Sequence, residues 1–269
     1  MTSGDDPAAN LPVTLGLIRD AASQGAGFVL TPEVTNCVSS SRAHQMDVLQ
    51  HEADDITLAA ICAEAKALGI WVSIGSLALK TDDPDGRFAN RSFMISPHGQ
   101  IIARYDKIHM FDVQVSATES YKESAGYRPG TQAVIAETDF ANVGLSICYD
   151  LRFAYLYRAL AQKGAAILLA PAAFSATTGP AHWEILLRAR AIETGCFVLA
   201  AAQTGTHTGG GGALRKTHGH SLAIDPWGAV LDEAGTDPEI VLVDLDLKEV
   251  SQARKRISAL THDRDFAGP

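Results

Sequence analysis

A chain of 269 residues, 46% of them hydrophobic, can bury one large core, and single α/β domains of this length are ordinary. A formal charge of -9 with no basic stripe argues against a nucleic-acid partner, whose phosphates call for clustered Lys and Arg. The acidic start MTSGDDPAAN lacks a signal-peptide profile, no apolar run reaches membrane-spanning length, and Cys37, Cys62, Cys148 and Cys196 form no CxxC pair, so a soluble protein of a reducing cytoplasm is expected, without a disulfide framework or zinc ribbon.

Residues 8–24 place Leu11, Leu15 and Ile18 at helical spacing, and Gly25 and Gly27 end that helix before an apolar strand, Phe28 to Pro32. Glu33 follows at once, at the C-terminal end of the strand, where open α/β sheets usually hold their ligands. Taken alone it reads as a solvated loop acid, as most Glu residues are. A second helix over 56–68, closed by Gly69, feeds the strand Trp71 to Leu79.

From Asn90 the pattern changes: RSFMIS, the turn PHGQ and IIARY read as a β-hairpin with no intervening helix, so the sheet is mixed. The second strand of this hairpin delivers Lys107 to its end, as the earlier strand delivers Glu33, although a lone lysine there also reads as a snorkelling surface residue. The polar stretch from Gln114 to Gly130 is long enough to suggest a functional loop, with Glu123 its most chemically interesting residue.

Strands at 133–138 and 143–148 come next, and the second, in VGLSICYDLRF, ends in a cysteine before a polar turn and an amphipathic stretch. A bend from strand to helix there presents the Cys148 sulfur at the sheet edge and aims the next N–H, that of Tyr149, at whatever the sulfur attacks. Alone, Cys148 would read as a buried core thiol. A helix near Tyr155 to Lys163, a strand Ala166 to Pro171, a helix Ala181 to Thr194 and a strand Phe197 to Ala202 resume the alternation, with Arg188, Arg190 and Glu193 read as helix or subunit salt-bridge partners. The run Gly209 to Gly212 lacks phosphate-loop spacing and reads as a surface loop, while His218 and His220 share a strand face without an acidic or cysteine partner nearby, so no metal is expected. HSLAID, the turn PWGA and IVLVDLD are expected to finish the sheet before a short helix.

TPEVTN with Glu33, YDKIHMFDV with Lys107 and SICYDLRF with Cys148 resemble, in order and spacing, the three signature stretches of the nitrilase, or carbon–nitrogen hydrolase, superfamily. The resemblance extends to YKESAGYRPG, PAAFSATTGPAHWEILLRARAIE and GHSLAIDPWG, which are similar to the Nit-type amidase branch. It implies a four-layer αββα sandwich in a single domain, no cofactor, and a homodimer or larger oligomer packed through helices like those at 153–163 and 181–193. It also implies a Glu33–Lys107–Cys148 triad in which Glu33 is the base, Lys107 and the Tyr149 N–H hold the oxyanion, and Glu123 supports. A thiol with a pKa near ~8.5 needs such a base or cation.

Arg152, just after the nucleophile, is a candidate partner for a substrate carboxylate, and Phe111 and Phe174 are candidate pocket walls. Ala154 and Tyr155 stand where the Nit branch usually has Pro-Glu, and Pro180 and Ala213 to Lys216 are also unusual, so specificity is less legible than chemistry. The expected activity is hydrolysis of a small, linear, carboxylate-bearing amide, such as an ω-amide of a 2-oxo acid or deaminated glutathione. The alternatives are an N-carbamoyl amide hydrolase or nitrilase of the same superfamily and a catalytically idle binding protein on the same fold. The family usually opens with an apolar strand beside the one ending at Glu33, so Met1 is read as an internal start preceded by about ten residues that form it.

Overall fold

The computed structural model describes residues 1–116, 119–207, 209 and 214–268. Two mixed sheets lie face to face with helices on their outer sides, the αββα sandwich expected from the resemblance. In the first sheet β1 (Phe28–Leu30), β2 (Trp71–Leu79), β3 (Ala89–Ile95) and β4 (Ile101–Asp106) stand in chain order. β1 runs parallel to β2, as the helical crossover demands, and the hairpin makes the remaining pairs antiparallel. Helices α1 (Pro7–Ser23) and α3 (Ile56–Leu68) cover this sheet, and the short α2 (Arg42–Val48) lies between them in sequence.

Local chemistry sets these boundaries. Asp6 caps α1 by accepting the Ala8 N–H, Asp55 caps α3 by accepting that of Leu58 at 2.8 Å, and Gly69, at φ 68°, closes α3 in the left-handed conformation glycine tolerates. The two-residue period of β3 divides the core: Phe93 and Ile95 pack with Ile61 and Ala65 of α3, while Met94 points into the layer between the sheets. The buried face of α1 is more polar than its apolar spacing suggests. Asn10 and Thr14 are buried beside Ile18 because the Asn10 amide bonds the carbonyls of Gly4 and Asn36 and the Thr14 hydroxyl bonds the Asn10 carbonyl.

A hairpin of β5 (Asp112–Gln114) and β6 (Ser120–Lys122) and a 3₁₀ turn at Glu123–Ala125 organise the long polar loop. The second sheet uses β7 (Ile135–Glu137), β8 (Asn142–Gly144), β9 (Ile167–Leu169) and β10 (Phe197–Ala200), with β8, β9 and β10 parallel. β11 (Thr204–His207) and β12 (Arg215–His218) form a separate ribbon, and β13 (Leu222–Ile224) and β14 (Val230–Glu233) complete the sheet in the order β14-β13-β10-β9-β8-β7. Helices α4 (Ala154–Gln162) and α5 (Gly179–Thr194) cover it, and α6 (Lys248–Arg256) follows.

Two sequence expectations change. The strand after the PWGA turn is Val230–Glu233, not IVLVDLD; residues 240–247 alternate between half-buried and exposed as a strand does, yet pair with no ladder among the described residues. Extended 145–147 carries the chain from β8 to Cys148, so the cysteine opens a 3₁₀ turn instead of ending a strand. Of the glycine run only Gly209 is described; Gly210 to Gly212 lie outside the described residues. β1 is an edge strand, and a groove of about 550 Å³ runs between it and residues 239–247, with Met1 at its wall. No helix among the described residues is long and apolar enough to cross a membrane.

Candidate active site

The segments that follow β1, β4 and the extended 145–147 converge on one cavity of about 560 Å³, whose lining includes Glu33, Lys107, Glu123 and Cys148. Close approach is built into the backbone. A Cβ at Gly75 would lie 2.0 Å from the Thr31 carbonyl oxygen and 2.5 Å from Pro171 Cβ, so only glycine lets β2 pass beneath the Glu33 and Pro171 segments. Val34, β-branched, adopts φ 47° just after Glu33, and Cys148 adopts φ 48°, so two non-glycine residues at the candidate chemistry are held in the left-handed region.

Glu33 and Lys107 are 3% and 2% exposed, respectively. Lys107 Nζ lies 2.9 Å from Glu33 Oε1 and 2.9 Å from both Glu123 oxygens. Burial works against the ammonium, but Glu123 and Glu33 outweigh it and hold the Lys107 pKa well above its ordinary value. Burial likewise works against the Glu33 carboxylate, and the Lys107 charge and hydrogen bond, Arg215 and the Ala173 N–H together pull its pKa below the usual value. Glu33 accepts from Asn90 Nδ2 at 2.9 Å on one oxygen and from the Ala173 N–H at 2.7 Å on the other. Glu123 is also held from its backbone side, accepting the Phe111 N–H at 2.6 Å.

The Cys148 thiol is pushed well above its ordinary pKa, by burial first and then by the Glu33 carboxylate. The resting site therefore holds a neutral thiol beside a carboxylate and an ammonium, a set in which the carboxylate is the proton acceptor. The cysteine turn is anchored at both ends: Cys148 N–H donates to the Pro171 carbonyl at 2.9 Å, and the fully buried Asp150 accepts the Ile147 N–H at 2.9 Å. Asp150 also accepts the Tyr105 hydroxyl at 2.6 Å, the His109 N–H at 3.0 Å and His109 Nδ1 at 2.6 Å, which ties the cysteine turn to the Lys107 segment. His109 Nε2 meets the Tyr155 hydroxyl, so the unusual Tyr155 joins this network. Tyr149 is the second residue of the turn, where an N–H has no partner within the turn itself.

Phe111 and Phe174 line the cavity, Phe111 packed on Tyr121 and Tyr149 and Phe174 on Trp183. Arg152 is not among the lining residues. Its guanidinium lies over the Tyr149 and Phe174 rings and 3.2 Å from His182 Nδ1. The other helix charges pair locally as expected, Arg188 with Glu184 and Arg190 with Glu193 and the Leu151 carbonyl. His218 and His220 stack at 4.5 Å, and His220 bonds Glu233. Sequence reasoning missed Asn90, Asp150, the Ala173 N–H and Arg215. Asp150 lies within SICYDLRF and carried a usable signal, a carboxylate two residues past the cysteine, whereas the other three reach the site only through the fold.

The carbon–nitrogen hydrolase family profile matches residues 2–255. The deaminated glutathione amidase of Yersinia enterocolitica is 36% identical over 265 residues, covering 98% of this chain and 91% of the relative. The omega-amidase of Bos taurus is 35% identical over 255 residues, covering 95% and 89%. Among solved structures, the C. elegans NitFhit protein superposes with a TM-score of 0.90 at 34% identity; 98% of this chain matches 63% of that longer one. With Glu33, Lys107 and Cys148 gathered at one cavity of this fold, the chain belongs to the carbon–nitrogen hydrolase family. Within the family it is an amidase of the Nit type, a hydrolase of carbon–nitrogen bonds other than peptide bonds.

Proposed function

We propose that this amidase hydrolyses a small, linear, carboxylate-bearing amide through a thioester on Cys148. The observation that carries the reading is the position of Lys107 Nζ, 2.9 Å from both Glu33 and Glu123 in the cavity that Cys148 lines. Glu33 takes the thiol proton as the sulfur forms its bond to the amide carbon, and the carbonyl electron pair moves to oxygen. The Lys107 ammonium and the Tyr149 N–H stabilise that oxyanion, a contribution worth ~10² to 10³ in rate for one such donor. Collapse breaks the C–N bond, and the leaving nitrogen departs with the proton from Glu33. Glu33 then removes a proton from water as the hydroxyl adds to the thioester, the C–S bond breaks, and the proton returns to the sulfur. Glu123 holds Lys107 in place throughout.

The names of the curated relatives support deaminated glutathione and an ω-amide of a 2-oxo acid as candidate substrates. The chemistry uses no cofactor. A cytoplasmic homodimer or larger homo-oligomer is the working form we propose, supported by the exposed apolar residues Tyr155, Ile185 and Ile192 on α4 and α5. A panel of carboxylate-bearing and neutral amides, assayed for ammonia or amine release, tests the reading. Turnover that is absent in Cys148→Ala supports it. Carbon dioxide released along with ammonia would assign the cavity to N-carbamoyl amides instead, and binding without turnover would make the chain an idle binder.

A further inference from the structure

Four cationic side chains line the cavity: Arg42, Lys107, Lys122 and Arg215. Arg42 is committed to structure, donating to the carbonyls of Gly126, at 2.9 Å, and Gly86 while lying 3.8 Å over the Phe88 ring. Lys107 is held between two carboxylates. Lys122 is an exposed residue at the end of β6. Arg215, half-buried at the start of β12, forms no ion pair among the described residues. Its one described hydrogen bond runs from Nη2 to the Ala173 carbonyl at 2.9 Å. A guanidinium has five N–H donors, so most of its donor capacity is unmatched by the described residues around it, and its charge acts on Glu33 through space without an ion pair.

Its distance from the chemistry is set by one strip of backbone. Residues 171–173 continue β9 in extended form, since Ala172 N–H bonds the Ala201 carbonyl and Gln203 N–H bonds that of Ala172. Cys148 N–H is tied to the Pro171 carbonyl and Arg215 to the Ala173 carbonyl, two residues further on. Two residues of extended chain span about 7 Å. The Ala173 N–H holds the base, Glu33 Oε2, at 2.7 Å. Nucleophile, base and unpaired guanidinium are thus staged along a single edge, and an acyl group joined to the sulfur has room for a few carbons before it reaches the cation.

We infer that Arg215 is the residue that selects the acyl half of the substrate, by pairing with a carboxylate a few carbons from the scissile carbonyl. The ω-amide of a 2-oxo acid proposed above is such a substrate, the monoamide of a short dicarboxylic acid. A guanidinium meets a carboxylate through two parallel hydrogen bonds, which fixes orientation as well as adding affinity. The anchor lies on the acyl side, so it holds the chain through both halves of the reaction, after the amine has gone as well as before. Arg152, the cation closest to Cys148 in sequence, has no such position.

This inference rests on the amidase reading of the cavity, so its test includes one arm that needs no turnover. The first arm compares the monoamide of a five-carbon dicarboxylic acid with the uncharged amide in which methyl replaces carboxylate, at one pH for every variant, so that any effect of Arg215 on Glu33 falls on both substrates alike. Arg215→Met is expected to lower the anionic-to-neutral ratio of kcat/KM by 10- to 100-fold, chiefly through KM, with Arg215→Lys intermediate. Arg152→Met is expected to keep the wild-type ratio. The second arm measures binding of the five-carbon dicarboxylate itself by calorimetry, with a loss of tenfold or more expected in Arg215→Met and circular dichroism confirming the fold. An unchanged ratio together with unchanged dicarboxylate binding overturns the anchor. If neither amide turns over but dicarboxylate binding depends on Arg215, the anchor stands and the proposed substrate class fails.

Discussion

Lys107 Nζ lies 2.9 Å from Glu33 Oε1 in a place where both side chains are almost completely removed from water. Buried charges of this kind are held by one another, so the two partners differ sharply in what their loss does. Lys107→Met leaves two carboxylates facing each other without a cation, and breaking a buried pair by removing one partner costs roughly 3–5 kcal/mol. Glu33→Gln keeps the shape and leaves Lys107 paired with Glu123, but it removes the proton acceptor and turns one oxygen that meets only donors into an NH₂ group. The expected outcome is a large fall in melting temperature for Lys107→Met and a smaller fall for Glu33→Gln, with amidase turnover down ~10² to 10⁴ in the latter, the range for loss of a general base. Turnover within tenfold of wild type in Glu33→Gln would remove Glu33 from the base role. Because the Glu33 pKa lies below the usual value, the acid limb of the wild-type profile is expected below the ordinary carboxylate range.

Cysteine modification separates a working thiol from three inert ones. Burial beside Asp5 and Asp6 pushes the Cys37 thiol up to about 12, and burial also raises Cys62 and Cys196. Cys148 is raised as well, yet its thiol bonds the Glu33 carboxylate, which can take its proton during attack, whereas the Cys37 thiol donates to the Asp5 backbone carbonyl. Iodoacetamide mapping at neutral pH is expected to label Cys148 first, and Glu33→Gln is expected to slow that labelling without affecting the other three. Rapid labelling of Cys37, which also lines the cavity, with Cys148 unmodified and activity retained, would reassign the nucleophile.

How much of this was legible in the chain follows from range. Glu33, Lys107 and Cys148 each terminate a local run whose apolar pattern and turn residues show in the sequence, so their shared position at the ends of neighbouring segments follows from α/β alternation. Asn90 and the Ala173 N–H bond Glu33 across 57 and 140 residues of chain, and no local pattern encodes such a pairing. The sequence offers Arg152 because it adjoins Cys148, but the turn directs it onto the Tyr149 and Phe174 rings while β12 brings Arg215 to the cavity. IVLVDLD has the alternation of a strand, and its burial alternates accordingly, but a strand needs a partner, and the pattern cannot say whether one is adjacent.

His207 gives the fold a dependence on pH that is separate from catalysis. Its Nδ1 lies 2.8 Å from the Ser3 carbonyl, which can only accept, so Nδ1 carries the proton and Nε2 accepts from the Thr217 hydroxyl at 2.7 Å. Burial, aided by Arg215 and the N-terminal amine, lowers its pKa to about 4, and only the Ser3 bond opposes this. Between about 6.5 and about 4 the unfolded chain binds a proton that the folded one does not, so stability falls as pH falls through that window. The full effect is on the order of 3 kcal/mol. Melting temperatures at pH 7 and pH 4.5 are expected to differ less in His207→Gln than in wild type, and an identical difference in both would assign the acid sensitivity to other groups.

The groove beside β1 has the chemistry of a strand site. On one side lies the outer edge of Phe28–Leu30, which pairs only with β2 among the described residues. On the other lie residues 240–247, extended and alternately half-buried but unpaired. Sheet edges of this kind are completed by a strand that takes up their N–H and C=O groups, and strands commonly run five or six residues. The groove has room for one more extended apolar strand, and Met1 lies at its wall with its carbonyl bonded to the Thr204 N–H at 2.9 Å. Appending six residues of alternating apolar and polar character before Met1 is expected to raise the melting temperature by several degrees, since each kcal/mol is worth roughly 2–4 °C at this size. It is also expected to slow amide exchange in Val29 and in residues 240–246, and to tighten the segment that carries Glu33. Proline at the centre of the appended segment removes one donor and should cancel most of the gain. Equal melts with and without the segment, and exchange rates unchanged along both walls, would show that the groove is not a strand site.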